Sequence, residues 1–331
     1  MTNQQSLTVN TIGSFFPTKN FEETDGINSM DFSFDGKYLI TASNDNTIHV
    51  YNCLTGNLEN EFFSKKYGVN HLRWTGNGNT VIYASTKVNH NIRYHSLHDN
   101  KYIRFFKGHE SRVTSLSVSK RDDTFLSASE DSSVRLWDYR SPNTIGILNR
   151  VFSPMVTYNQ TGELFAIFSP SSSLLENEQN SPNDPIIKIY EIRSFNKGPI
   201  SSCRLKEKLF STEGNFQWSN MEFSSNGEHL LLSTFGSEIF VFNVKNEKIE
   251  YSLKSRQNRE KAYLPATFSP DSQFILSGST NNLLHVYQTE TGNEILALDS
   301  LNMSPQIVKF NPSYFLIAST SRNKLIFWTQ K

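Results

Sequence analysis

Histidine and acidic side chains are the groups in this 331-residue chain whose chemistry could support catalysis. One segment holds both His109 and Asp131, and an imidazole next to a carboxylate can act as a general base. No nucleophile is paired with them in the sequence, and the chain has neither a GxxxxGK phosphate loop nor a GxSxG nucleophile elbow. We therefore predict a noncatalytic protein in which these two residues have a structural role.

Several histidines lie close together in the sequence and are candidate metal ligands, namely His71, His90, His95 and His98. They have no HExxH or CxxC companion, and the two cysteines, Cys53 and Cys203, are too few for a disulfide framework. The sequence thus predicts no metal and no other cofactor, and it favours a reducing intracellular compartment. The first ten residues lack the pattern of a signal peptide and no run of 18 apolar residues occurs, so we expect no membrane span.

Positive charge is concentrated in one part of a chain whose 32 Lys and Arg balance its 32 Asp and Glu. Residues 65–121 contain eleven Lys and Arg and two acids, a local charge of +9. Because these side chains hold phosphate through charge-assisted hydrogen bonds, the segment is a candidate site for a phosphorylated peptide. The predicted phosphopeptide-binding residues are Lys65, Lys66, Arg93, Lys101, Arg104 and Lys107. Nucleic acid is the rival ligand, but the segment has no recognised nucleic-acid module, which disfavours direct binding of nucleic acid.

The elements that must position these residues form an internal repeat. Seven copies of one pattern, three short apolar runs separated by polar turns, can be aligned through their first turns. These turns lie at Gly36, Gly78, Asp122, Gly162, Gly227, Ser272 and Tyr314, and five of the six steps between them are 40–45 residues long. This period, with several short strands in each repeat, is typical of the four-stranded blades of a β-propeller. We predict an all-β fold, a seven-bladed β-propeller that forms a single domain over residues 1–331.

Two segments depart from the regular repeat. The one long step, of 65 residues, contains residues 171–185, a polar stretch with two prolines. We predict a mobile, solvent-exposed loop there, between the second and third strands of the fourth blade. The last copy ends at Trp328 without an outer strand of its own. Because an unpaired edge promotes aggregation, we predict that an N-terminal strand from the stretch Val9 to Phe16 completes the seventh blade and closes the ring.

The third copy carries Gly108-His109 and, 28 residues after the histidine, Trp137-Asp138. This pair of dipeptides marks WD repeats. The resemblance to that large family implies a buried structural network in which a hydroxyl, a carboxylate, an imidazole and an indole satisfy one another's hydrogen bonds. Its implied members are His109, Ser129, Asp131 and Trp137.

Longer stretches resemble one particular family of such propellers, that of WD repeat-containing protein 82. The similar segments are Ser64 to Val69, Ser96 to His109, Asp122 to Asn143, Arg193 to Pro199 and Phe268 to Ser279. They are spread over most of the chain, and parts of them are not required by a propeller fold. The likeness therefore extends beyond shared architecture. The 171–185 insertion and the N-terminal segment depart from the family pattern, as does Tyr287, which stands where a tryptophan is usual.

This resemblance implies a noncatalytic scaffold subunit of a nuclear COMPASS-type histone H3 lysine-4 methyltransferase complex, and of a protein phosphatase 1 complex in transcription termination. The implied partners are the methyltransferase catalytic subunit, a targeting subunit of protein phosphatase 1 and the serine-phosphorylated tail of RNA polymerase II. A second hypothesis is a substrate receptor of a cullin-4 ubiquitin ligase, because Trp137-Asp138-Tyr139-Arg140 resembles the WDxR element of such receptors. The proteins that copurify with the chain distinguish the two hypotheses.

Overall fold

A computed structural model describes residues 7–171, 184–205 and 216–331. These residues form seven antiparallel sheets of four strands each, with one short helix and one 3-10 segment. Seven four-stranded sheets are the blades of a seven-bladed β-propeller, so the predicted all-β fold class is confirmed. The chain divides into two compact units, one of residues 28–215 with 246–248 and one of the remaining residues. The assignment of residues 1–331 to a single domain stays a prediction.

The first described elements are α1 (Val9–Gly13) and β1 (Phe15–Glu22). Blade 1 contains β2 (Ile27–Phe32), β3 (Tyr38–Ser43), β4 (Thr47–Asn52) and β5 (Asn57–Phe63). Blade 2 contains β6 (Asn70–Trp74), β7 (Thr80–Ala84), β8 (Ile92–Ser96) and β9 (Lys101–Phe106). Blade 3 contains β10 (Val113–Val118), β11 (Thr124–Ser129), β12 (Ser133–Asp138) and β13 (Thr144–Asn149). Blade 4 contains β14 (Met155–Tyr158), β15 (Leu164–Ser169), β16 (Ile186–Glu191) and β17 (Ser201–Arg204), with the 3-10 segment Ile192–Lys197 before β17.

The other unit holds the remaining blades. Blade 5 contains β18 (Trp218–Phe223), β19 (His229–Thr234), β20 (Ile239–Asn243) and β21 (Lys248–Leu253). Blade 6 contains β22 (Thr267–Phe268), β23 (Phe274–Ser277), β24 (Leu283–Gln288) and β25 (Glu294–Asp299). Blade 7 contains β26 (Val308–Phe310), β27 (Ile317–Ser321) and β28 (Lys324–Gln330), and β1 is its outer strand. Every predicted first turn lies between the first and second strands of its blade.

Position within a blade determines which faces of a strand are buried. In the second strand of blade 1, consecutive residues Leu39 and Ile40 are both fully buried, so both faces of the strand are packed. The outer strand of blade 2 instead exposes Lys101, Ile103 and Phe105. The middle strands therefore form the core, and the outer strands carry the side chains that can meet a partner.

The N-terminal strand completes blade 7, as predicted, but it lies further along the chain than predicted. Strand β1 pairs antiparallel with β28, from Phe15 opposite Gln330 to Glu22 opposite Lys324. The predicted stretch Val9 to Phe16 is instead mostly helix α1, whose N-cap Thr8 accepts the Thr11 N–H at 3.1 Å. The prediction of its bounds was wrong because it followed the apolar run, whereas the position of β1 is set by pairing along β28.

The polar insertion lies between β15 and β16, the second and third strands of blade 4, as predicted. Residues 172–183 lie outside the described residues. The exposure and mobility of the loop therefore stay predictions. Within the described parts of the chain, no helix is long and apolar enough to cross a membrane.

Candidate functional site

A hydrogen-bonded network in blade 3 holds the ring of His109. Nδ1 of this ring lies 2.8 Å from Oδ2 of Asp131, and Nε2 lies 2.7 Å from Oγ of Ser127. The indole N–H of Trp137 donates to the same serine hydroxyl at 2.8 Å. When Nδ1–H donates to Asp131, the hydroxyl of Ser127 donates to Nε2 and accepts from the indole. Each of these groups then has a partner.

The connectivity of Asp131, His109 and Ser127 resembles that of a hydrolase triad, but the surroundings exclude that role. Ser127 is 0% exposed, and the indole N–H already occupies its oxygen. Burial lowers the pKa of His109 although the bond to Asp131 opposes the shift, so the ring stays neutral near pH 7. In blade 7 the indole of Trp328 donates in the same way to Ser319 at 2.8 Å. The bond from tryptophan to serine is therefore a packing device of the blade.

The structure corrects one member of the predicted network. The hydroxyl of Ser129 donates to the carbonyl of Ser111 at 3.0 Å and accepts the N–H of Asp131 at 3.1 Å, so it bonds neither His109 nor Trp137. Residues two apart on a strand share a face, which makes Ser127 and Ser129 equivalent in the sequence pattern. Strand register separates them, because Trp137 pairs directly with Phe125 and its indole reaches diagonally to Ser127.

The basic segment contains a cluster of aromatic side chains around the buried guanidinium of Arg93. The guanidinium carbon lies 3.4 Å from the ring centre of Tyr67, 4.8 Å from that of Phe105 and 5.5 Å from that of Tyr102. We refer to Tyr67, Arg93, Tyr102 and Phe105 as the Arg93 cluster. Stacking of this kind stabilises a cation through the negative faces of the rings.

No carboxylate among the described residues neutralises Arg93. Its Nε donates to Ser85 at 2.9 Å and its Nη2 to Asn89 at 3.4 Å. Burial lowers the pKa of Arg93, but an arginine keeps its charge at neutral pH. The sequence prediction treated Arg93 as a surface residue and is wrong on this point, since the side chain is only 2% exposed.

Exposed lysines surround the Arg93 cluster. Nζ of Lys65 lies 5.0 Å from the ring centre of Phe63, and Nζ of Lys66 lies 5.1 Å from that of Tyr67. The backbone N–H of Lys87 donates to the carbonyl of Tyr67 at 2.8 Å, which brings a third exposed lysine to the same region. None of the three forms an ion pair with a carboxylate in the described part of the chain. Lys87 was counted in the basic segment, but sequence reasoning did not select it as a binding residue.

The other predicted basic residues do not belong to this site. Arg104 pairs with Tyr94 in the β8–β9 ladder, whereas Phe105 pairs with Arg93, so Arg104 and Arg93 lie on opposite faces of the sheet. The hydrogen bond from Arg140 lowers the pKa of Asp138 in blade 3, and the positive charge of Arg104 adds to this shift. Lys101 forms an ion pair with Asp99 at 3.6 Å, and Lys107 is exposed beyond the end of β9. The six predicted residues are therefore not brought together in one place.

The predicted absence of a metal concerned the histidines of blade 2. Across the residues that the structure describes, no group of three or more His, Cys, Asp or Glu side chains is arranged to hold a metal ion. His95 lies 3.0 Å from the amide oxygen of Asn100 and packs on the ring of Tyr102. The ring of His95 therefore packs against the Arg93 cluster through Tyr102.

Comparison with known proteins agrees with this architecture. The sequence pattern of the family described as WD domain, G-beta repeat matches residues 15–52, 100–138 and 266–288. WD repeat-containing protein 82 from Drosophila melanogaster is 40% identical over 96% of this chain and 95% of its own. Set1 complex component swd2 from Schizosaccharomyces pombe is 32% identical over 98% of this chain and 99% of its own. COMPASS component SWD2 from Saccharomyces cerevisiae is 28% identical over 88% of each chain.

These relatives align along nearly the whole chain, whereas the matches to the generic repeat cover three separate segments. The similarity therefore includes the outer strands and connecting turns that distinguish one propeller from another. On the basis of the fold, the blade 3 network and this full-length identity, the chain belongs to the WD repeat-containing protein 82 family.

Proposed function

We propose that this protein is a noncatalytic scaffold subunit of a COMPASS-type histone H3 lysine-4 methyltransferase complex and acts on chromatin in the nucleus. Two relatives that align over 88% or more of this chain carry names that assign them to the Set1 and COMPASS complexes. The groups of the blade 3 network are buried and hydrogen-bonded to one another, which agrees with a noncatalytic role. Resemblance to the family further suggests a second assembly, with the targeting subunit of protein phosphatase 1.

The finer part of the proposal is that the surface around the Arg93 cluster binds the serine-phosphorylated tail of RNA polymerase II. This proposal rests on a group of cations that have no carboxylate partner in the parts of the chain that the structure describes. They are the exposed Lys65, Lys66 and Lys87 around the buried Arg93. Other surface cations of the same unit are paired with carboxylates, as Arg140 is with Asp138 at 2.6 Å and Lys101 is with Asp99 at 3.6 Å. An unpaired cation on an aromatic platform is already partly desolvated, so it can bind a phosphate at low cost.

The test is a calorimetric titration with a polymerase-tail peptide, phosphorylated on serine or unphosphorylated, at two salt concentrations. We expect the combined change Lys65→Glu, Lys66→Glu and Lys87→Glu to weaken binding of the phosphorylated peptide by about 100-fold, because repulsion is added to the lost pairing. Arg93 is left unchanged, since reversing a buried charge would disturb the fold.

The control is Lys101→Glu, Lys107→Glu and Lys120→Glu, which changes the net charge equally at exposed positions outside the cluster. It should retain phosphopeptide affinity within about twofold, because these lysines are not among those that surround the Arg93 cluster and attraction between exposed charges is screened by salt. Equal losses in both variants would indicate nonspecific attraction of polyanions. An unchanged affinity in the first variant would reject the Arg93 cluster as the binding site and leave the scaffold proposal standing.

A further inference from the structure

The outer strands of the blades differ in how they protect their free edge. Edge strands of soluble proteins usually carry charge, proline or a cover, because an unpaired apolar edge invites another strand. Six of the seven described outer strands contain at least one Lys, Arg, Asp or Glu within their bounds. The exception is β13 of blade 3, whose sequence Thr-Ile-Gly-Ile-Leu-Asn has no charged residue.

The exposed side chains of β13 are also apolar. Ile145 is 54% exposed and Ile147 is 41% exposed; Ile147 lies on the face of its pairing partner Arg135, and Ile145 is the bulge residue between Thr144 and Gly146. The opposite face is covered, because a Cβ at Gly146 would overlap the ring of Phe195 from the 3-10 segment. One face of this edge is therefore packed against Phe195 of blade 4, while Ile145 and Ile147 are exposed to solvent.

The backbone of β13 has one free side. In the described part of the chain, β13 pairs with β12 only and is the last strand of its sheet. Its outward N–H and C=O groups can pair with an extended segment, in the way that many peptide-binding sheets add a strand. We propose that β13 is a docking edge at which a partner protein adds a fifth strand to blade 3.

The chemistry of the edge defines the occupant. A strand paired with β13 would set its side chains next to the exposed Ile145 and Ile147, so the partner segment carries apolar, preferably β-branched residues at these places. Arg150 directly follows the strand, is exposed and has no carboxylate partner among the described residues. An acidic residue of the partner at that end completes the match by charge complementarity. The occupant is thus an extended apolar segment with an acidic end.

The experiment uses the full chain in its own cells, with the photoreactive residue p-benzoylphenylalanine introduced at position 145 or at position 147. Crosslinked peptides are identified by mass spectrometry. We expect both positions to crosslink to one segment of one partner, at neighbouring sites that are apolar and have an acid nearby. The same photoreactive residue at Ile103, an exposed isoleucine of the charged outer strand β9, is the control and should not crosslink to this segment.

A variant test uses the same positions. Ile145→Lys combined with Ile147→Lys should reduce copurification of the crosslinked partner at least tenfold, while Ile103→Lys retains it and both variants keep the thermal midpoint of the parent. Crosslinks that scatter over unrelated segments, or that join two copies of this chain, would overturn the proposal. So would a partner whose recovery is unaffected by the two lysines. Phosphopeptide binding at the Arg93 cluster is measured separately, so failure of one proposal does not affect the other.

Discussion

At the scale of single residues, environment decides which of several similar side chains matters. Ser127 and Ser129 share a strand face, but only Ser127 lies beside both His109 and Trp137. Arg93 and Arg104 are both arginines of one hairpin, but only Arg93 lies in the aromatic cluster. The two members of each pair look equivalent in the sequence, and strand register and burial distinguish them in the structure.

The network of blade 3 predicts an asymmetric effect of removing either serine hydroxyl. Ser127→Ala leaves the buried indole N–H of Trp137 and Nε2 of His109 without a partner, so we expect a loss of about 1–3 kcal/mol in unfolding free energy. The indole N–H resonance of Trp137 should shift in the NMR spectrum of this variant. Ser129→Ala is the matched control, and it should leave that resonance in place because its hydroxyl bonds Ser111. A shift in Ser129→Ala alone would contradict the observed register.

His71 predicts a pH dependence of stability. Burial and the charges of Arg73 and Arg112 lower the pKa of His71 to about 3. Because the unfolded chain takes up this proton near pH 6.5 and the folded chain does not, the folded state loses stability as pH falls below about 6.5. Replacing His71 by Asn, which tolerates the local φ of 51°, removes the titrating group.

Denaturant unfolding at pH 7.5 and pH 5.5 measures the effect. We expect the parent protein to lose about 1 kcal/mol more than His71→Asn between the two values, which is the contribution of one histidine over one pH unit. His98→Asn at an exposed position controls for the loss of a histidine as such. Parallel pH profiles for the parent and His71→Asn would show that His71 titrates normally.

At the scale of elements, pairing partners rather than local sequence set where strands lie. Strand β1 begins at Phe15 because β28 offers backbone partners up to Gln330, although apolar residues occur earlier in the chain. The phenyl ring of Phe15 packs edge-on against Phe310 at 5.8 Å between centres, which fixes the strand end against blade 7. Strand β1 is near the start of the chain and β28 is near its end. Their long-range pairing is therefore the main source of stability for β1.

Truncation tests this closure. Removing residues 1–22 takes away all of β1 and leaves the edge of β28 unpaired, so we expect aggregation in size-exclusion chromatography with light scattering. Removing only residues 1–6 retains the whole of β1 and should leave the protein monomeric to the same extent as the parent. A truncation after residue 16 is not decisive because most of β1 would remain. Unaltered solubility without residues 1–22 would contradict the role of β1.

At the scale of the whole molecule, a chain of zero formal net charge distributes its charged residues unevenly. The surplus of cations lies in and near blade 2, and the uncharged edge lies in blade 3. The two proposed sites therefore rely on different interactions, phosphate pairing in one case and strand addition in the other. This arrangement suits a subunit that engages more than one partner.

The assembly itself can be tested by affinity purification of the tagged chain followed by mass spectrometry. We expect methyltransferase subunits, and phosphatase subunits in a second pool, to copurify. Arg140→Ala removes the arginine of the WDxR element, which in the structure is held by Asp138, and it should leave these assemblies unchanged. Recovery of cullin-4 adaptors that are lost on Arg140→Ala would instead support the ubiquitin-ligase hypothesis.

The sequence by itself determined the repeat, the number of blades and the family. These features follow from local information: turn residues such as Gly36 and Gly162 recur at one period, and the apolar runs between them alternate as strands do. The candidate phosphate-binding segment was also found from local charge. The sequence did not show which side chains of this segment are buried or paired, because a count of charges does not tell in which direction each side chain points.

Only the tertiary structure decided which residues share a site. Side chains two apart on a strand are equivalent in a sequence pattern, so the choice of Ser127 over Ser129 required the register with β12. The bulge at Ile103 puts Tyr102 and Phe105 on the face of Arg93 and turns Arg104 to the other face, which simple alternation does not predict. Lys87 joined the site because its backbone bonds Tyr67, twenty residues earlier in the chain. Such contacts depend on long-range pairing, and the sequence pattern records only local periodicity.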